Sequence, residues 1–170
     1  MVDLQQLLIT ELNKLKESIR QRLDETGTNA SGRAYNSLKV SVKGNEGTLY
    51  GSSYLKFLED GRGPGPVPKD FRSIIEDWVL AKGIDFSSYT PKGRSPSSLS
   101  DEDRLHSFAG AVAFNIMKKG TLLYRKKVHK DIYSAAITEC LDRLESLVTV
   151  NISANIQNIN QRYKDETDRK

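Results

Sequence analysis

Leu38-Lys-Val-Ser-Val-Lys-Gly-Asn-Glu-Gly-Thr-Leu-Tyr-Gly51 decides between an all-helical chain and a mixed one. Leu38, Val40 and Val42 alternate with Lys39, Ser41 and Lys43, the period of a half-buried strand. Gly44-Asn-Glu-Gly47 reads as a turn and Thr48-Leu-Tyr-Gly51 as a second, short strand. A hairpin near 37–51 follows. Working outward, the other alternating stretch is Val148, Val150, Ile152, Ala154 and Ile156. It predicts a strand near 148–157 that completes the sheet.

Helical patterns surround these strands. Leu4, Leu8, Leu12, Leu15, Ile19 and Leu23 recur at spacings of four and three, so residues 3–25 read as an amphipathic helix. Asp3 is placed to cap it, with Gln6 three residues on and Val2 and Leu7 as a hydrophobic staple; Gly27 ends it. Phe71, Ile74, Ile75, Trp78 and Val79 give a second helix, begun at Pro68 or Asp70 and closed by Gly83, with Trp78 read as a core anchor. Ser100-Asp-Glu-Asp103 forms a capping box before a third, whose stripe is Leu105, Phe108, Ala109, Val112 and Ile116. Its small residues, Ala109, Gly110, Ala111 and Ala113, allow another helix to approach closely. A fourth runs from Lys130 to about Leu147, with Ile132, Ala136, Cys140, Leu144 and Leu147 inward. The fold class is therefore α+β: a small antiparallel sheet (hairpin near 37–51 plus strand near 148–157) packed with an N-terminal helix and three further helices. Residues 1–160 read as a single domain with a Ser/Pro/Gly-rich arm at 84–100. Residues 161–170 read as a charged, frayed tail.

Between hairpin and second helix lies the least ordinary segment, Ser53-Ser-Tyr-Leu-Lys-Phe-Leu-Glu-Asp-Gly-Arg-Gly-Pro-Gly-Pro-Val-Pro68. Its first half looks helical. In its second half, Gly61, Gly63 and Gly65 alternate with Arg62, Pro64 and Pro66. Gly permits positive φ and Pro fixes its own, so the loop turns sharply without being slack. It is either a connector or a surface that presents Arg62 and backbone to a partner. Glu59-Asp60 ends the helical part and is expected to pair with Arg62 or a partner's cation. The arm at 84–100 lacks periodicity but holds Ile84, Phe86, Tyr89 and Leu99, which suits a segment that orders against a neighbour.

The 170 residues carry a net charge of +4, with 28% charged and 37% hydrophobic, and a pI near 9.1. This mild basicity permits contact with nucleic acid without requiring it. Cys140 is the single cysteine, so no internal disulfide can form, and its place on an apolar face suits a small core hydrophobe. No run approaches the length of a membrane span, and the chain does not open on a signal-like apolar core. His106 and His129 lie far apart, without Cys or carboxylates at metal-ligand spacing. No nucleophile elbow or Lys-Ser/Thr phosphate loop is present. The expectation is therefore a non-enzyme with no cofactor and no metal. The clearest charge feature is Lys118, Lys119, Arg125, Lys126, Lys127 and Lys130, bracketing Gly120-Thr-Leu-Leu-Tyr124. It reads either as a solvated face that partly offsets a helix dipole, or as a phosphate- or acidic-partner-facing loop.

The order of these features resembles the tail-completion and head–tail joining proteins of tailed bacteriophages. In that family a helix precedes a Thr-Gly-x-Leu-x-x-Ser segment, a strand pair and a Tyr-x-x-x-x-Glu-x-Gly motif. Tyr54, Glu59 and Gly61 match the last motif; Thr26, Gly27 and Ser37 match the first at stretched spacing. Trp78-Val-Leu-Ala-Lys-Gly83 and Ala113-Phe-Asn-Ile-Met-Lys-Lys-Gly-Thr121 are similar to a variant of short-tailed phages, including the crAss-like group. The resemblance covers the chain to about residue 160. It implies a small curved antiparallel sheet with helices on one side. It also implies a structural virion protein, assembled in the host cytoplasm, that forms a six- or twelve-fold homo-oligomeric ring in the phage neck or tail connector. The ring would join portal and adjacent tail proteins around the DNA channel, with no membrane partner. Tyr54, Phe57, Glu59, Arg62, Pro64, Pro66, Phe86 and Tyr89 are then the expected subunit or partner contacts. The six cations at 118–130 are the expected contact with DNA in the lumen or with an acidic partner. A small nucleic-acid-binding module using residues 118–130 is the alternative.

Overall fold

A computed structural model describes residues 3–167. The fold is α+β. In order come α1 (Leu4–Glu25), α2 (Arg33–Ser37), β1 (Lys39–Lys43), β2 (Glu46–Tyr50), α3 (Leu55–Asp60), α4 (Phe71–Ala81), a 3-10 turn (Pro96–Ser98), α5 (Asp101–Lys119), α6 (Leu122–Lys126) and α7 (Ser134–Thr167). They form two compact units. One takes the chain up to Arg22, Ser37–Gly51 and the chain from Asp131 on; the other takes Leu23–Asn36 and Ser52–Lys130.

The first unit is built on the hairpin. β1 and β2 pair antiparallel, with Val40 opposite Leu49 and Lys43 opposite Glu46. The turn is thus the two residues Gly44-Asn45, tighter than the four-residue turn expected. Gly44 has φ 57°, as the first central position of a type II′ hairpin turn demands. Leu12 of α1 lies against Gly47; a Cβ there would sit 2.6 Å from Leu12 Cδ1. Leu12, Leu15, Ile19, Leu38, Ile132, Ala136 and Cys140 are buried, so the α1 stripe and the start of the Cys140 face do what their periodicity predicts; further along that face Leu144 is half-buried and Leu147, expected inward, is exposed. Asp3 caps α1, accepting from the Gln5 amide at 3.0 Å. The staple on Val2 lies outside the described residues.

One expected strand does not form. Residues 148–157 belong to α7, and among the described residues the sheet has two strands. The alternating set contains Val148, Ile152 and Ile156, which also share one face of a helix. No Gly or Pro follows Gly120, so nothing stops a helix begun at Ser134 from propagating through them. The same helix runs on to Thr167, where a frayed tail from 161 was expected.

Glu11, 2% exposed, is the one polar side chain sealed in this unit's helical interface among the described residues. Lys14 donates to it at 2.6 Å and Arg143 of α7 at 2.9 Å. The Lys14 hydrogen bond, aided by Arg143 and opposed by burial, holds its carboxyl below the ordinary 4.5. A depressed carboxyl stabilises the fold above its ordinary pKa, and that contribution is lost as pH falls through the folded value. Stability should therefore decline below about pH 4.5 more steeply in the parent than in Glu11→Gln; parallel acid-unfolding curves would contradict this.

The second unit centres on α4 crossing α5. Ile75, Val79, Ala109 and Ala113 are its buried cluster, with Phe71, Ile84, Phe86, Leu105, Phe108, Val112 and Ile116 packed against it. Ala109 and Ala113 supply the close approach that small residues promise, and Ser100 and Asp103 close the capping box. Trp78 is not the core anchor it was expected to be: it is 39% exposed, on the shoulder of α4. The arm at 84–100 folds back on its own unit instead of extending. Phe86 joins the α4–α5 cluster, Tyr89 stands edge-on to Phe108 with ring centroids 5.4 Å apart, and Arg104 donates to the carbonyls of Tyr89 and Pro96 at 3.2 and 2.5 Å.

Candidate functional site

Within the second unit, the Gly-Pro loop and the basic segment come together, though they are far apart in sequence. The Gly65 amide donates to the Met117 carbonyl at 2.9 Å, and the Thr121 amide to the Arg62 carbonyl at 2.8 Å. The Thr121 hydroxyl accepts from the Arg62 amide at 2.9 Å and caps α6 by accepting from the Tyr124 amide at 3.4 Å. The loop thus satisfies the end of α5 and shares a cap with the start of α6.

Two glycines make the crossing possible. Gly61 has φ 77°, and a Cβ on it would lie 2.3 Å from the Tyr124 nitrogen and 2.7 Å from the Thr121 hydroxyl. Gly120 has φ 75°, and a Cβ there would lie 2.6 Å from the Arg62 carbonyl oxygen. Both positions combine a left-handed φ with contact against backbone, so only glycine fits.

The crossing is latched by His129. Its Nε2 lies 3.0 Å from Oε1 of Glu59, and its Nδ1 lies 2.6 Å from Oδ1 of Asp60. Glu59 is 1% exposed, and its carbonyl accepts from the Lys130 amide at 3.1 Å. The expected pairing of Glu59-Asp60 with Arg62 is therefore replaced by pairing with a histidine. Arg62 instead turns onto its own loop: its guanidinium donates to the Pro66 carbonyl and stands 5.7 Å from the Phe71 ring centroid. Because both His129 nitrogens face carboxylate oxygens, these three side chains satisfy one another instead of converging on a common point. Among the described residues no group of three or more His, Cys, Asp or Glu is arranged to hold a metal. His106 is likewise engaged, with Glu76 at 2.7 Å and Arg72 at 2.6 Å.

The remaining contact candidates divide. Pro64 and Pro66 are exposed on the loop and Phe57 is 43% exposed. Tyr54 is half-buried, and burial pushes its hydroxyl up against the opposing pull of Arg33. Phe86 and Tyr89 are occupied by their own unit. Lys118, Lys119, Arg125, Lys126 and Lys127 are all exposed, with Lys118 over the Phe114 ring at 4.8 Å. Lys130 is half-buried and donates to the Thr26 carbonyl at 3.2 Å.

Beside the crossing, α3 and α6 frame a groove of about 340 Å³, with Phe57, Leu58, Leu122, Leu123 and Val128 as its apolar wall and Lys126 and Lys130 at its rim. Sequence reading missed it, because its two sides are short helices whose apolar residues show too few turns for a stripe. The available signal was Leu122, Leu123 and Val128 lying inside a run of cations. The site therefore offers a rigid loop, an apolar groove and a basic rim, which is equipment for recognition. Among the described residues no helix is long and apolar enough to cross a membrane. No family model, no curated protein and no solved structure matches the chain.

Proposed function

We propose that the chain is a structural virion protein, one subunit of a ring in the neck or tail connector of a tailed bacteriophage, joining portal to tail around the DNA channel. The order of its motifs supports this reading, and α7 is the observation that carries it. From Ser146 to Gln161 the helix bears no charged residue, while Leu147, Val150, Ile152 and Ile156 are 41–67% exposed. A helix face left in water normally interleaves charge with its apolar positions. Roughly four turns without charge suit burial against neighbouring copies in an assembly.

Native mass spectrometry across protein concentration tests the proposal: closed species of one defined copy number are expected. The double variant Val150→Lys/Ile156→Lys should keep the parent's helix content and melt within about 0.5 kcal/mol of it, since both sites are exposed. Its self-association should weaken by at least about tenfold. A variant that assembles like the parent would remove α7 from the interface.

The exposed cations at 118–127 favour a second reading, a nucleic-acid-binding module. Among the described residues no carboxylate pairs with them. That reading requires the isolated protein to bind duplex DNA with an affinity that falls steeply with salt; a ring subunit requires little affinity as a monomer.

A further inference from the structure

We infer that the basic-rimmed groove between α3 and α6 receives the acidic end of the α4–α5 pair from a second copy of this chain. The inference rests on the ring reading and names the surfaces through which neighbouring subunits meet.

The two surfaces are complementary in charge and in apolar content. The groove is walled by Phe57, Leu122 and Val128, which are 43, 56 and 46% exposed, with Lys126 and Lys130 at the rim. At the other end of α5, Leu80 is 59% exposed and shares a shallow hollow with Asp85 and Asp101. Glu102 stands beside them in the exposed first turn of α5. One face is an apolar cleft edged by cations; the other sets the exposed Leu80 among carboxylates.

These surfaces cannot meet within one copy. α5 is 19 residues long, so roughly 27 Å of straight helix separates its acidic start from its basic end. The complement to each surface therefore comes from another molecule, and the chain itself carries it. Such contacts are heterologous, because the basic groove of one subunit meets the acidic surface around Leu80 of the next. Heterologous contacts propagate around a ring, or along a filament if the rotation does not close. Opposite charges at the two poles also set direction and disfavour head-to-head pairing. His129 adds a reason for the groove to be preformed: it fixes the end of α3 against the segment that follows α6.

The test uses the full chain and charge reversal in trans. One variant carries Lys126→Glu/Lys130→Glu, the other Asp85→Lys/Asp101→Lys. Each alone should self-associate at least about tenfold more weakly than the parent by sedimentation at low salt, and an equimolar mixture should recover to within a few-fold of it. Leu80→Ala, at an exposed position where folding is not at risk, should weaken association several-fold with an unchanged melting curve. If the parent forms closed rings and the reversed variants form them equally well, or if the mixture fails to recover, the contact lies elsewhere; this inference falls while the ring reading stands. A parent that stays monomeric at millimolar concentration and low salt overturns both.

Discussion

Gly61→Ala should cost the second unit about 3 kcal/mol or more of stability, and Gly65→Ala about 1 kcal/mol. Both glycines have positive φ, at 77° and 143°, so both substitutions meet backbone strain. Only at Gly61 is there also no room: the new Cβ would lie 2.3 Å from the Tyr124 nitrogen and 2.9 Å from its Cα. At Gly65 nothing lies within 4 Å. The obstruction at Gly61 is backbone, which cannot rotate aside as a side chain can. Relief would require the loop to lift away from α6, breaking the Arg62–Thr121 hydrogen bonds and opening the groove wall. Urea unfolding of the two variants beside the parent makes the comparison. Equal losses at the two positions would mean that the chains do not cross as closely as described.

The contrast also shows what was legible in the sequence. The Gly-Pro loop was recognisable as a rigid, specific turn from its residue types alone. What it turns against was not: Gly120 and Thr121 lie some sixty positions downstream, and nothing local to either stretch names the other. The same holds for Glu59-Asp60. Arg62 was the nearest cation in sequence, but its side chain reaches its own loop's Pro66 carbonyl, and His129 arrives from the far side of α6. Elements with long, clean periodicity were readable, as in α1, α4 and α5, where burial repeats at the spacing of the apolar residues; the hairpin forms as read, but Ser41 is as half-buried as Val40 and Val42. Residues 148–157 were ambiguous because an i, i+2 series contains an i, i+4 series. The deciding evidence was the absence of any breaker after Gly120, a property of the whole C-terminal stretch. Trp78 illustrates a different limit: size favours burial on average, but α4 buries Ile75 and Val79 against the alanines of α5, and that close crossing leaves Trp78 at the edge. The groove was the least legible part, since each wall supplies only one or two turns.

His129→Ala should destabilise the second unit by about 2 kcal/mol, while Asp60→Ala should cost under about 1 kcal/mol. Both remove one half of the same latch, and the difference is burial. Asp60 is 45% exposed, so water replaces its partner; Glu59 is 1% exposed, and its carboxylate loses a donor where solvent cannot compensate. His129 is itself 46% exposed, which keeps the figure below that of a fully buried ion pair. A double-mutant cycle isolates the contact. In a Glu59→Gln background the acceptor is neutral and far less costly to deprive of one donor, so His129→Ala should cost about 1 kcal/mol less there than in the parent. A coupling near zero would mean that His129 merely covers the end of α3. A coupling of the expected size would make the latch the element that holds α3 and the segment after α6 together, and hence the groove between them in the shape a partner meets. The same cycle read by self-association should then show His129→Ala weakening assembly beyond what its loss of folded population explains, because the wall formed by Val128 moves with the residue beside it.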